Sequence, residues 1–432
     1  MSHKPTLDKL FKNAQKTQNF FRIQSDEELS ALVNKAQARY LPWEKFRHQV
    51  VTGRFSIEEA WLSTVLKRQA GGEVTPIKTE SGKFFSFGVT REQQKMLRVI
   101  DAQCSGNYMA DVTLPDGQQK QRLQVSGLIE EAINSSQLEG ASTTRQVAKD
   151  MIQSGRAPRT ESESMILNNF FAMERIEEWE RRELDESFLF EVHAILTKNV
   201  LPENEQGAFR NDEDGIVVSD PVTGEIFHRA PSVSFVKEQL ESLYRFANSS
   251  EKENDWHPFV KACMLHFWIG YLHPFTDGNG RTARIIFYWY LIKNDYWMFR
   301  YVSTSKMIKQ SKKTYGEAYL LTEQADELDL GYFIQYILRT TLLSIEDFKK
   351  YLIRKRREEA ETRESLYKKN LNDRQIELIS TLSKHHGQID IETYKKRFSL
   401  VYETARRDLL DLEEKRILRK RKEGKRYVYG LS

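Results

Sequence analysis

Twelve consecutive residues, His273 to Arg284 in the order HPFTDGNGRTAR, gather a base, a hard oxygen ligand, a run of small residues and two guanidinium groups. His273 is the one group there that takes up a proton near neutral pH, which suits removal of a proton from an attacking hydroxyl. The carboxylate of Asp277 suits a magnesium ion that already carries phosphate oxygens. Gly278, Asn279 and Gly280 tolerate positive φ and lead straight into an apolar helical run. The backbone N–H groups left free at such a helix start, beside the positive end of its dipole, form an anion cradle. Arg281 offers a planar fork of donors to a phosphate tail, and Arg284 shares its face of the first turn. Base, metal ligand, cradle and guanidinium at this spacing describe phosphoryl or nucleotidyl transfer.

Two helices must hold these groups. The segment from Phe259 to Tyr271, with Val260, Met264, Leu265, Phe267, Trp268 and Ile269, predicts a helix buried around most of its circumference. Pro274 discourages helix at His273, so the chain turns there. The run ARIIFYWYLI predicts the second helix, whose aromatic residues read as core.

The stretch matches at every defined position the motif of the Fic family, His-x-Phe-x-Asp/Glu-Gly-Asn-Gly-Arg-x-x-Arg, and the chain resembles that family. The resemblance implies an all-helical core and transfer of the AMP part of ATP to a Ser, Thr or Tyr hydroxyl of a protein. It implies His273 as base, Asp277 as holder of magnesium, and Gly278, Asn279 and Gly280 as the lining of the anion hole. It gives Arg281 the outer phosphates and makes Phe275 a core anchor that orients the loop. The residues alone do not name ATP, and UMP, phosphocholine or phosphate remain open as the transferred group.

A second signal lies in VSGLIEEAINSSQLEG, Val125 to Gly140. Ser135 and Glu139 are four apart, on one face of a predicted helix, and Gly140 is a natural C-cap. The family's inhibitory motif is Ser/Thr-x-x-x-Glu-Gly/Asn. Its position ahead of the core resembles the class whose inhibitory helix lies on the N-terminal side. Pairing of Glu139 with Arg284 would remove the guanidinium that steers the γ-phosphate and set a carboxylate in its place. The same carboxylate beside a metal can also activate water for AMP removal.

Around these signals the expected fold is mainly α. It comprises a Fic-type core with a small β-hairpin flap, extra N-terminal helices and a C-terminal winged helix-turn-helix. We divide the chain into an N-terminal helical region (1–120), the core with its inhibitory helix (121–345), a charged connector helix (346–370) and the winged helix (371–432). In the first region, Ser25 to Glu28 reads as a capping box, Pro42 as a break, Trp43 as an aromatic anchor, and IKTESGKFFSF as a hairpin or loop. Residues 161 to 200 predict two helices, with His193 packing or orienting.

In GAFRNDEDGIVVSDPVTGEIFHRAP, the β-formers Ile216, Val217 and Val218 and the return Glu225 to His228 flank turn chemistry at Asp220 to Gly224. By resemblance this is the flap, near 215–230, that receives the target segment through main-chain pairing. Gly207 to Arg210 resembles the family's approach to it.

In the last region, VYETARRDLLDLEEK takes the recognition position, and a two-stranded wing turns at Glu423 and Gly424. Eight basic residues between Lys415 and Arg426 stand against Glu423 there. The partner this predicts is DNA or a docking protein, and a DNA-binding regulator with a sensory core is the alternative to the enzyme. Net charge is +4 over 432 residues, with 30% charged and 39% hydrophobic residues, which argues against disorder and bulk polyanion binding. No apolar run approaches the roughly 20 residues that span a bilayer, and the first residues lack a signal-peptide core. We therefore expect a cytoplasmic protein without a membrane partner, with Cys104 and Cys263 reduced and structural. The family resemblance further implies a homodimer.

Overall fold

A computed structural model describes residues 5–16, 26–51, 55–105, 117–219, 226–250, 255–324, 328–385, 388–423 and 426–431. The chain falls into two compact units, 1–348 and 349–432. The first opens with α1 (Leu7–Lys16), α2 (Glu27–Arg39), the single turn α3 (Trp43–Phe46) and α4 (Ile57–Gln69). Asp26, not Ser25, caps α2, its carboxylate accepting from the Leu29 N–H at 3.0 Å; Ser25 lies outside the described residues. Tyr40 ends α2 in the left-handed region, and Pro42 begins α3. Trp43 is the anchor the sequence suggests, with Trp61 5.7 Å away and Phe46 5.1 Å from Trp61, centroid to centroid.

The segment 72–88 is a hairpin, β1 (Gly72–Lys78) pairing antiparallel with β2 (Phe84–Gly88). Then come α5 (Arg91–Cys104), α6 (Gln118–Leu138), α7 (Arg145–Ser154), α8 (Glu161–Trp179) and α9 (Glu186–Thr197). A second antiparallel hairpin pairs β3 (Val217–Ser219) with β4 (Ile226–Arg229). The expected turn at Asp220 to Gly224 lies outside the described residues.

After α10 (Val233–Asn248), the predicted central pair appears as α11 (Pro258–Leu272) and α12 (Asn279–Lys293). Phe259, Met264, Phe267, Trp268, Ile286 and Trp289 are fully buried, so the pair forms the spine of the unit. Each such side chain contributes roughly 1.5–3 kcal/mol from burial. Helices α13 (Thr304–Gln310), α14 (Lys312–Gln324) and α15 (Gly331–Tyr367) follow. The charged stretch read as a connector continues α15 rather than starting a helix of its own.

Helix α6 meets the core without a gap. A Cβ on Gly127 would lie 2.5 Å from the Tyr301 carbonyl oxygen, so only glycine permits this approach. One turn on, the buried Glu131 accepts from the Tyr288 hydroxyl at 2.8 Å, the Ser303 hydroxyl at 2.8 Å and the Ser305 N–H at 3.1 Å. At the far end, Lys312 Nζ donates to the Leu138 carbonyl at 2.9 Å, satisfying an open helix terminus.

The second unit runs α16 (Asp373–His385), β5 (Gln388–Asp390), α17 (Ile391–Phe398), α18 (Tyr402–Glu414), β6 (Leu418–Glu423) and β7 (Arg426–Leu431). Its sheet order is β5-β7-β6, antiparallel throughout. Leu378, Tyr394, Leu409, Leu412, Leu418 and Tyr429 form its core. Among the described residues no helix is long and apolar enough to cross a membrane.

Candidate active site

His273 is the residue that ends α11, and its own backbone sits in the left-handed region at φ 46. Its Nδ1 lies 2.6 Å from the Gly270 carbonyl, an acceptor, so Nδ1 carries the proton and Nε2 keeps a lone pair. Burial lowers its pKa to about 4; the Gly270 hydrogen bond opposes that shift and His228 adds to it. The imidazole is neutral at neutral pH, as a base must be. Arg210 Nε donates to the His273 carbonyl at 2.7 Å and fixes the turn from behind.

The loop that follows is tied to itself. The Asn279 side chain accepts from the Phe275 N–H at 2.9 Å and donates to the Phe275 carbonyl at 2.8 Å. Phe275 is fully buried and stacks on His193 at 3.7 Å between centroids. The Gly207 N–H donates to His193 Nδ1 at 3.0 Å, so Nε2 is the donor to the Asp277 carbonyl at 2.9 Å. His193 therefore orients the loop from a neutral ring, burial having lowered its pKa to about 4. The Asp277 carboxylate is 51% exposed and reaches Arg281 Nη2 at 2.9 Å.

Gly278 begins α12 at φ 80, and no side chain caps the helix. The N–H groups of Asn279, Gly280 and Arg281 thus open the helix uncapped, the arrangement that binds anions. A Cβ on Gly280 would collide with Glu139 Oε1, so a carboxylate of the same chain already lies against this cradle.

Arg284 is buried and takes three contacts from the end of α6. Nε donates to Ser135 Oγ at 2.9 Å, Nη2 donates to the Ser135 carbonyl at 3.0 Å, and Nη1 lies 2.8 Å from Glu139 Oε1. Desolvation opposes both charges; Arg284, with Arg281 and Lys312, still holds the 30% exposed Glu139 carboxylate below the usual range, and Glu139, with Tyr315 and Glu131, holds the buried Arg284 above its usual value.

Arg281 is the arginine that the motif gives to the outer phosphates. It is buried, its Nη1 donates to the Leu196 carbonyl at 2.9 Å, and its Nε has no hydrogen-bond partner among the described residues. The sequence reading did not single out Arg210 by itself, nor His228, Glu131 or Glu323. Each acts across the fold, and only the GAFR segment signalled one of them.

Among the described residues no cluster of three or more His, Cys, Asp or Glu side chains could hold a metal. One exposed carboxylate nevertheless fits magnesium, which usually keeps several waters and takes one or two carboxylates together with substrate phosphates.

Residues 183–291 match the model of the Fic/DOC family. The chain is 29% identical over 161 residues to Protein adenylyltransferase Fic of Nematostella vectensis, covering 37% of this chain and 33% of that protein. It is 25% identical over 169 residues to Protein adenylyltransferase fic-1 of Caenorhabditis elegans, covering 39% and 29%. The chain thus spans about a third of the length of these curated relatives. A solved Fic family protein from Desulfovibrio desulfuricans aligns with a TM-score of 0.52 at 18% identity over 80% of this chain and 97% of that one, a likeness of fold. The loop that bears His273 and the start of the helix it opens lie inside the matched segment, while the carboxylate over its cradle comes from outside it; residues 183–291 are a Fic domain of the Fic/DOC family.

Proposed function

We propose that this chain is a protein adenylyltransferase that moves AMP from ATP to a hydroxyl of a target protein and restrains itself through Glu139. One observation carries the reading: a carboxylate held by Arg284 lies against the uncapped start of α12, close enough for its field to reach His273. In the reaction, the target hydroxyl oxygen bonds to the α-phosphorus and its proton passes to His273 Nε2. The bond from that phosphorus to the bridging oxygen breaks, and pyrophosphate leaves. Asp277 would hold magnesium, which when bound neutralises phosphate charge. Arg284, once released from Glu139, serves the γ-phosphate, and the β3–β4 hairpin takes the target segment by main-chain pairing.

The donor is tested with the Glu139→Gly form, magnesium and separately labelled nucleotides, with mass spectrometry of the modified protein. An AMP adduct is expected. A UMP, phosphocholine or bare phosphate adduct would overturn the choice of ATP as AMP donor while keeping the fold's chemistry.

A second reading concerns the unit 349–432, whose order of elements suits a winged helix. On α18, the exposed Arg406 and Arg407 stand in the second turn, while the last turn carries Glu413 and Glu414 and no base. Arg406 pairs with Glu403 at 3.1 Å on the same helix. The exposed edge strand β6 adds Arg419, Lys420, Arg421 and Lys422. This pattern fits the phosphate backbone of duplex DNA. The full chain is expected to bind a short duplex more weakly as salt rises, and R406A/R407A to flatten the log–log salt slope by about 1 per lost phosphate contact. Fluorescence anisotropy checks this; binding that ignores salt, or none, would point to a protein partner instead.

A further inference from the structure

His228 of β4 meets one of the last carbonyls of α11. Its Nε2 lies 2.7 Å from the Tyr271 carbonyl, and its Nδ1 lies 2.7 Å from Oε2 of Glu323 on α14. A carbonyl oxygen and a carboxylate oxygen both only accept. A neutral imidazole has one N–H, so it would satisfy one neighbour and turn a lone pair on the other. A ring with a proton on each nitrogen satisfies both.

The setting favours that second state. The two side chains are only 11% and 15% exposed, where facing acceptors without a proton between them are costly. The C-terminal pole of α11 also attracts a cation. Besides Glu323, two other titratable groups face the ring among the described residues: the Tyr271 phenol, its ring 5.2 Å away, and the neutral His273, its ring 6.2 Å away between centroids. Burial keeps the Tyr271 phenol protonated.

We propose that His228 stands as an imidazolium clamped between Glu323 and the Tyr271 carbonyl. This fixed cation is a positioning residue that pins the hairpin to the end of α11 and keeps a proton off His273. The effect on the base rests on reading His273 as the general base; the clamp does not. The two rings are 6.2 Å apart between centroids, and the field of His228 already acts to lower the proton affinity of His273. Glu323→Gln keeps a partner of the same shape, but its amide can donate to Nδ1 and so lets the ring go neutral.

The experiment is nitrogen NMR on the full chain labelled at histidine, with His228→Gln assigning the signals, followed by rate against pH in the Glu139→Gly background. Both ring nitrogens of His228 are expected to carry protons at pH 7, and Glu323→Gln to remove one. In the rate profile, Glu323→Gln is expected to move the acid limb up by about one pH unit, the effect of one charge at this distance in a medium of intermediate dielectric. A His228 ring with one protonated nitrogen in the parent chain overturns the clamp. An acid limb that stays in place overturns its action on the base. If the Glu139→Gly form modifies no protein at all, the adenylyltransferase reading fails, and the NMR result alone decides the clamp.

Discussion

Glu139→Gly is expected to raise AMP transfer by about 5- to 150-fold, the span of a coupling worth roughly 1–3 kcal/mol. The carboxylate lies 2.8 Å from Arg284 Nη1 and fills the space a Cβ on Gly280 would need. Its removal frees that nitrogen and clears the start of α12 in one step. Ser135 still accepts from Nε and Nη2, so the guanidinium keeps its aim. Glu139 follows the last residue of α6, so a glycine there costs little helix. The check is incorporation of labelled AMP at fixed ATP, beside a thermal melt. A folded variant with an unchanged or lower rate contradicts restraint by Glu139. Adding Arg284→Ala to the released form should abolish the gain, because on the proposed reading the freed guanidinium serves the phosphate.

The second large effect is at the base. In the released form, His273→Ala is expected to slow transfer by about 10²- to 10⁴-fold, the usual contribution of a positioned general base. The residue also sets the pH profile. With Glu139 in place its pKa is lowered to about 4, and losing that carboxylate, which raises it, shifts it lower still; the ring is therefore competent above that value, and activity should fall only as pH drops toward it, because protonation fills Nε2. Across the neutral range the rate should be flat. Initial rates against pH, with circular dichroism at each point to exclude unfolding, test the assignment. An acid limb near 6.5, the value of a free imidazole, would mean that the titrating group is not this buried ring.

The reach of the sequence followed the range of the interactions. The turn at His273 was readable because its causes are local: a proline next in line, residues that accept positive φ, and apolar runs on both sides. The β3–β4 hairpin was readable for the same reason, whereas IKTESGKFFSF read equally as a hairpin or a loop. Strand β5 was not, since three residues show no alternation, and only pairing with β7 makes Gln388 to Asp390 a strand. Spacing put Arg281 and Arg284 in one turn but could not say which would reach the cradle and which would hold the Leu196 carbonyl. The bond between His228 and Glu323 joins residues 95 apart in the chain, and that between Tyr288 and Glu131 joins residues 157 apart. Nothing in the local pattern of either residue announces its partner.

On the proposed restraint by Glu139, the seam between α6 and the core sets how release would happen. Backing the helix away would strand the Glu131 carboxylate in a dry interior, a penalty above about 3 kcal/mol, and would open the join at Gly127. The cheap movement is at the tip, where Glu139 precedes Gly140 at φ 107. A trigger need not displace a helix. It has to lure one acidic side chain a few bond rotations off its arginine, work within the means of a weakly held ligand or a single neighbouring cation.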